Sequence, residues 1–256
     1  MRLNWDSKRK GLTVLRRGCK MLKMENFRTD DTQSLLTYID LFQGLNPAEL
    51  ARIGKHAHRR VSPSGTDIIT AEQPGEVVYL ILSGTVKIHM EQMDGRDVIL
   101  AILGPGDTVG EMSLVDSAGR SASAVTLEDS ILLWMDSKAF RLCLEEFPQV
   151  SLNLVRILSA RVRLANELIQ ALTTLDVNGR VARQLLAFAD KYGQENEMGE
   201  TRIPIRLTQS DIADLVGASR KRVNQAITLF KQQDLIAMTE KGRIKVCDRD
   251  SLANYC

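Results

Sequence analysis

Between Val155 and Leu172, six apolar side chains follow one another at steps of 3, 4, 3, 4 and 3 residues: Val155, Leu158, Val162, Ala165, Ile169 and Leu172. No strand has that period. The stretch is a helix with one apolar seam, and a seam sustained for about three heptads favours knobs-into-holes pairing with another helix. The simplest partner is the same helix of a second copy, which makes these six residues the expected dimer interface; packing on the helix's own domain is the alternative. In either case the seam separates two regions with different hydrophobic grammars.

Before the seam the signals are those of strands. Thr66 to Thr70, Val77 to Met90, Val98 to Leu103, Ala122 to Thr126 and Ile131 to Met135 are short β-branched or apolar runs parted by Gly, Pro, Asp and Ser, which predicts an antiparallel roll or barrel. Gly84, Gly95, Gly104, Gly106 and Gly110 fall at the joints. Ahead of the strands, Asn46 as a cap, Pro47, and apolar Leu50 and Ile53 predict a short helix within 46–60.

After the seam, Asp176-Val-Asn-Gly179 reads as a hinge and Arg180 to Tyr192 as an amphipathic helix stopped by Gly193. Thr208 then caps a helix to Leu215, Gly217 makes a turn, and Ser219 caps a second helix from Arg220 to about Gln233. Two capped helices joined at a glycine form a helix-turn-helix. Leu235 to Met238 and Arg243 to Val246, joined through Gly242, add a β-hairpin wing.

At 256 residues the chain suits two modest domains, and its longest apolar runs fall far short of the roughly 20 residues that cross a bilayer. The formal net charge of +2 is an average over unlike regions. Residues 1–23 carry eight Lys or Arg against Asp6 alone, residues 24–175 sum to −7, and residues 176–256 to +2. Within the last region, Arg202 to Arg249 holds ten basic and five acidic residues, a local excess that suits contact with nucleic acid. The basic leader has no apolar core or cleavage site of a secretory signal. Residues 1–30 are therefore expected to be a basic, disordered extension, with a transit peptide or a phosphate-touching arm as the alternatives, and Met21 and Met24 leave open a later start.

Cys19, Cys143, Cys247 and Cys256 form no C-x-x-C pair, which argues against a zinc ribbon or an iron–sulfur frame and for a reducing cytoplasm. His56 and His58 make an H-x-H, but with no third ligand nearby no metal site is expected. The strand region holds no nucleophile paired with a base, so catalysis, for instance in a cupin-like roll, is not expected.

A recognition helix needs long donors at its amino-terminal end to reach base edges, with caps and backbone amides on phosphates. Ser219, Arg220, Lys221, Asn224 and Gln225 supply that arrangement, and Thr208 and Gln209 open the preceding helix. Arg220 suits guanine O6 and N7, and Gln225 or Asn224 suits adenine, while Val223, Ile227 and Phe230 are expected to face the core. In the strand region Gly110, Glu111, Met112 and Ser113 are followed by Arg120-Ser121. Arg120 can neutralise a phosphodiester, Ser121 and free amides can hydrogen-bond its oxygens, and Glu111 can accept from a ribose hydroxyl. The set fits a nucleotide with one buried phosphate; a surface turn with an Arg120–Glu111 ion pair is the competing reading.

Taken together, Gly84, Gly95, Gly104-Pro-Gly106-Asp107, Gly110-Glu111, Arg120-Ser121-Ala122, the long helix, Asp176-Val-Asn-Gly-Arg180 and the Ser219-Arg220 helix resemble the cAMP receptor protein/FNR family of bacterial transcription regulators, over about Leu41 to Val246. The resemblance implies an α+β chain: a cyclic-nucleotide-binding β-roll (jelly roll) at 31–147, a dimerisation helix and hinge at 148–176, and a C-terminal winged helix-turn-helix at 177–256. It implies that Gly110, Glu111, Arg120 and Ser121 bind ring phosphate and ribose, that Asn166 lies at the base and dimer contact, and that cAMP is the leading effector rather than a cofactor. Double-stranded DNA, a second copy and RNA polymerase are the implied partners. Two positions depart from the family pattern. Ala165-Asn166 stands where cAMP binders often carry Thr-Ser or Thr-Asn, which keeps cGMP, a cyclic dinucleotide or a partner protein in play as effector. Lys221 and Gln225 replace a Glu and an Arg of the familiar reader, and Lys cannot accept from cytosine N4 as Glu can, so a TGTGA half-site is not expected to be read unchanged.

Overall fold

The computed structural model describes residues 32–71, 73–91, 97–239 and 242–256. The expectations for residues 1–30, for Gly95 and for the middle of the wing turn lie outside them. Two antiparallel four-stranded sheets form the amino-terminal half. One has the order β1 (His58–Ser62), β8 (Ser130–Asp136), β3 (Val77–Ser83), β6 (Thr108–Val109); the other runs β2 (Asp67–Ile69), β7 (Ser123–Thr126), β4 (Val86–Glu91), β5 (Asp97–Leu103). Helices α1 (Thr32–Leu36), α2 (Pro47–Gly54), α3 (Met112–Val115) and α4 (Ser137–Glu146) accompany the roll, and a 3-10 turn at Asp40–Phe42 links the first two.

The unbroken apolar run of β3 has a direct cause, since a strand covered on both faces needs apolar residues at every position. Val78, Leu80 and Leu82 join Leu133 and Met135 in the layer under α1, α2 and α4. Tyr79 and Ile81 point the other way and pack with Ile69, Val86 and Leu132 between the sheets. At the β3–β4 joint Gly84 has φ +101°, and a Cβ there would lie 2.1 Å from Ser130 Oγ and 2.8 Å from Ser130 Cα. Gly84→Ala is therefore expected to cost about 2 to 4 kcal/mol from backbone strain and overpacking together. Thermal unfolding checks it, and a melting temperature within about 2 °C of wild type would contradict the expectation.

Helix α5 (Pro148–Thr174) leaves the roll with Val150, Asn153 and Leu154 buried in its first turns; beyond them Ala171 is buried again and most other positions are exposed or half-buried. Asn153, itself buried, fixes the start by donating from Nδ2 to the carbonyls of Leu41 (3.0 Å) and Gln43 (2.7 Å). The last third of the chain holds α6 (Val177–Tyr192), β9 (Gln194–Glu195), β10 (Thr201–Arg202), α7 (Gln209–Val216), α8 (Arg220–Gln232), β11 (Ile236–Met238), β12 (Ile244–Val246) and α9 (Arg249–Ala253). The wing hairpin β11–β12 continues through β10 to β9 as a small antiparallel sheet.

Several boundaries differ from the sequence reading. The helix after Asn46 ends at Gly54, and His58 to Ser62 form edge strand β1, with His58 set 4.8 Å from the Trp134 ring. Asp176-Val-Asn-Gly179 is not a pause between helices. Asp176 is the N-cap of α6, its Oδ1 accepting from Gly179 N at 2.8 Å. Gly179 thus lies inside the helix, where a Cβ would meet the Tyr255 carbonyl at 2.6 Å, so close packing explains the glycine. The break in the chain contracts to Leu175 and Asp176. No helix among the described residues is long and apolar enough to cross a membrane.

Candidate ligand and nucleic-acid sites

The glycine, carboxylate and arginine singled out in the roll come together. Gly110 follows β6 with φ +87°, and a Cβ there would sit 2.6 Å from Arg120 Nη1 and 2.7 Å from Ile69 Cδ1. Glu111 follows at the mouth of α3. Arg120, 7% exposed, donates from Nη1 to the Gly110 carbonyl (2.7 Å) and Ser113 Oγ (2.8 Å) and from Nη2 to the Val77 carbonyl (2.6 Å). Among the described residues its guanidinium thus meets three neutral oxygens and no carboxylate at ion-pair distance. Burial pulls its pKa below the ordinary value, while Tyr79, Glu111 and Glu76 push it back up. A nearly buried cation without a bonded counter-ion is a poor device for stability and a good one for capturing an anion.

Glu111 does not pair with Arg120. Its Oε1 meets Arg161 Nη1 of α5 at 2.5 Å, and Arg161 Nη2 donates to the Thr108 carbonyl at 2.7 Å. Glu111 is 1% exposed, and its Oε2 has no hydrogen-bond partner among the described residues; nor has the buried Thr108 Oγ1. A buried carboxylate oxygen left open is an acceptor for a hydroxyl, as the ribose reading requires. Arg161 is the residue that sequence reasoning missed. Its only local signal was its place on the central helix four residues before Ala165.

Not every expected residue joins this cluster. Ser113 does, through Arg120, whereas Met112 and Ser121 are exposed, and Asn166 lies exposed on α5, five residues beyond Arg161. On the same helix Val155, Val162 and Ile169 are about 60% exposed, and Ala165 and Leu172 are also exposed. Leu158 is half-buried against the core of the roll. Of the six seam residues only Leu158 packs against the core of the roll; the other five are an exposed, mostly apolar stripe.

The helix-turn-helix is built by its caps. Thr208 accepts from Asp211 N while the Asp211 side chain accepts from Thr208 N, closing a capping box at α7. Gly217 ends α7 in the left-handed region at φ +61°, and Ser219 caps α8. Val223, Ala226, Ile227 and Phe230 are buried, which leaves Arg220, Lys221, Asn224 and Gln225 on the outer face. Gln209 Nε2 donates to Asn224 Oδ1 at 2.9 Å, tying the first helix to the second. Thr208 is exposed, but its hydroxyl is engaged within the cap, donating to Asp211 Oδ2 at 2.5 Å.

Two sequence families match the chain in this order: the cyclic nucleotide-binding domain over residues 59–147 and the Crp-like helix-turn-helix domain over residues 179–255. The CRP-like cAMP-activated global transcriptional regulator of Mycobacterium tuberculosis is 37% identical over 219 residues, 86% of this chain and 97% of that protein. The cyclic AMP receptor protein of Thermus thermophilus is 31% identical over 77% of this chain and 88% of its own length. In fold, the structure of FixK2 from Bradyrhizobium japonicum aligns with a TM-score of 0.67 at 22% identity, covering 78% of this chain and 96% of that one.

Proposed function

The chain belongs to the cAMP receptor protein/FNR family of DNA-binding transcription regulators, which are not enzymes, and from that premise we propose that it is a cytoplasmic homodimer whose DNA binding is controlled by cAMP held in the roll. The observation that carries the effector reading is the pairing of a nearly buried Arg120, which has no carboxylate at ion-pair distance among the described residues, with the Oε2 of Glu111, which has no hydrogen-bond partner among them. One suits a cyclic phosphodiester and the other a ribose hydroxyl. The names of two relatives, which describe them as cAMP-activated and as a cyclic AMP receptor, support the same ligand. Gly110 supplies the close approach, Ser113 orients Arg120, and Ser121 and Met112 flank the site at its open side. Asn166 meets the base from α5. Titration calorimetry with cAMP tests the reading, and absence of binding would overturn it.

A second reading keeps the DNA-binding role and changes the effector to cGMP, a cyclic dinucleotide or a partner protein. It rests on Ala165, which has no hydroxyl to offer the base. A panel of nucleotides in thermal-shift experiments separates the two, since a true ligand raises the melting temperature in a concentration-dependent way.

For allostery, the nucleotide must bind the DNA-competent arrangement more tightly than its alternatives. Val155, Leu158, Val162, Ala165, Ile169 and Leu172 form the dimer seam in this reading, since pairing covers the exposed apolar stripe of α5. Ile169→Asp places a charge in that seam twice per dimer and is expected to weaken dimerisation by about 100-fold or more. Sedimentation equilibrium reads the change, and an unaltered dimer would remove Ile169 from the interface. Thr208, Gln209, Ser219, Arg220, Lys221, Asn224 and Gln225 contact double-stranded DNA, and RNA polymerase is the further partner through which such binding alters transcription.

A further inference from the structure

We propose that Asp107 and Tyr192 are positioning residues for DNA binding: within one subunit they tie the phosphate cassette to the reader domain, giving ligand occupancy a route to the reader that bypasses the α5 seam. The proposal rests on the reading of the roll as a nucleotide sensor. Asp107 is 5% exposed and stands directly before β6, the strand that leads into Gly110 and Glu111. Tyr192, the last residue of α6, donates its hydroxyl to Asp107 Oδ2 at 2.5 Å, and its neighbour Lys191 places Nζ 2.7 Å from Oδ1. Both carboxylate oxygens of a roll residue are thus held by consecutive residues of the reader domain. Burial, reinforced by Asp107, keeps the Tyr192 phenol well above its ordinary pKa, so it stays a donor.

The segment carrying Asp107 has little freedom of its own. Gly104 N also donates to Asp107 Oδ2 (3.0 Å), Ile81 N donates to the Asp107 carbonyl (2.9 Å), and Arg161 bonds the next carbonyl, that of Thr108. From Asp107 to Gly110 is three residues, about 10 Å of extended chain. A shift of Gly110, Glu111 or Arg161 on capturing a phosphate and ribose is therefore delivered to the carboxylate that Tyr192 and Lys191 grip. Contact around this point is close enough to transmit it. Ile102 packs within the reader's core, and a Cβ on Gly104 would meet Ile205 Cγ2 at 2.7 Å and the Tyr192 ring at 3.1 Å. Packed interfaces of this kind move between discrete arrangements instead of deforming smoothly.

A second polar contact also holds the reader to the roll. Glu128 of the roll receives both nitrogens of the Arg243 fork, at 2.6 and 3.3 Å, and a hydrogen bond from Thr85 Oγ1, which in turn accepts from Arg206 N. With this point fixed, loosening the Asp107 contact changes the reader's angle without releasing the domain.

The experiment measures DNA affinity with saturating cAMP and without it, for full-length wild type, Tyr192→Phe and Asp107→Asn. Tyr192→Phe removes one hydroxyl and keeps the ring against Gly104 and Ile205. Asp107→Asn keeps an acceptor for the phenol and removes the charge that Lys191 meets. The ratio of the two affinities is expected to fall at least fivefold in Tyr192→Phe, with base preference and the cAMP affinity of DNA-free protein within about threefold of wild type. Lys245→Ala, which breaks the ion pair to Glu200 inside the reader domain, is the control and should leave the ratio unchanged. A merely structural Tyr192 would lower the melting temperature and scale both affinities alike. A ratio within twofold of wild type in both Tyr192→Phe and Asp107→Asn overturns the coupling role alone. A wild-type protein whose DNA affinity ignores cAMP overturns the cAMP reading, and the coupling role with it.

Discussion

Arg120→Ala is expected to lower cAMP affinity by at least about 100-fold while leaving the chain folded. The side chain offers two guanidinium nitrogens whose present acceptors are neutral oxygens, and hydrogen bonds to charged groups contribute about 1.5 to 3 kcal/mol each. Two such bonds to a phosphodiester come to about 3 to 6 kcal/mol, and every 1.4 kcal/mol is a tenfold change in affinity. The same substitution deletes three internal hydrogen bonds but also relieves the burial of a cation that has no carboxylate at ion-pair distance among the described residues. The two effects oppose each other, so the melting temperature without nucleotide should change by only a few degrees. Arg120→Lys should bind with intermediate affinity, because it keeps a charge and loses the planar fork. Calorimetry on both variants, with circular dichroism for the fold, gives the answer. Wild-type affinity in Arg120→Ala would transfer the phosphate to another group, and an unfolded variant would assign Arg120 a structural role.

The contrast between Arg120 and Glu111 also marks what a linear reading can see. Elements whose cause is local were legible: the seam of α5, the Thr208 and Ser219 caps, the Gly217 turn and the doubly covered β3 all follow from residues within a few positions of one another. Partners distant in sequence were not. Glu111 and Arg161 lie 50 positions apart, and Tyr192 and Asp107 lie 85 apart. Helices of four or five residues such as α1, α3 and α9 have too few turns to display a period. Strand β1 escaped because His58, Arg59 and Arg60 sit on a sheet edge, where polar side chains are tolerated and protect against mispairing. Helix α4 did carry a signal, the Asp136 cap that accepts from Ala139 N at 2.7 Å, just after the apolar run of β8. The same short-range logic puts a hinge over Asp176-Val-Asn-Gly179, because such a run read in isolation looks like a break until Asp176 is found capping α6 and the carbonyl of Tyr255 is found against Gly179.

Arg220→Ala is expected to weaken binding to the preferred DNA site by about 1 to 3 kcal/mol, or roughly 5- to 150-fold, with the loss confined to one guanine position in each half-site. Arg220 is the first residue of α8 and is exposed, with Ser219 capping the turn beneath it by accepting from Arg222 N. That places a planar, two-pronged donor where a recognition helix enters the major groove. Lys221 stands one residue on, also exposed, and carries one compact charge. Its removal should act mainly through phosphate, lowering affinity for all sequences alike and reducing the salt slope by about one. The two variants therefore separate base reading from charge. Selection from a random DNA library with each protein, in the presence of cAMP, should show one relaxed guanine position for Arg220→Ala and an unchanged motif for Lys221→Ala. A relaxed base position in Lys221→Ala instead would mean that lysine reads a base edge directly. An unchanged motif in Arg220→Ala would leave Asn224 and Gln225 as the base readers and reduce Arg220 to a phosphate contact. Gln209 already holds Asn224 Oδ1, so of that pair Gln225 is the freer to fork onto an adenine.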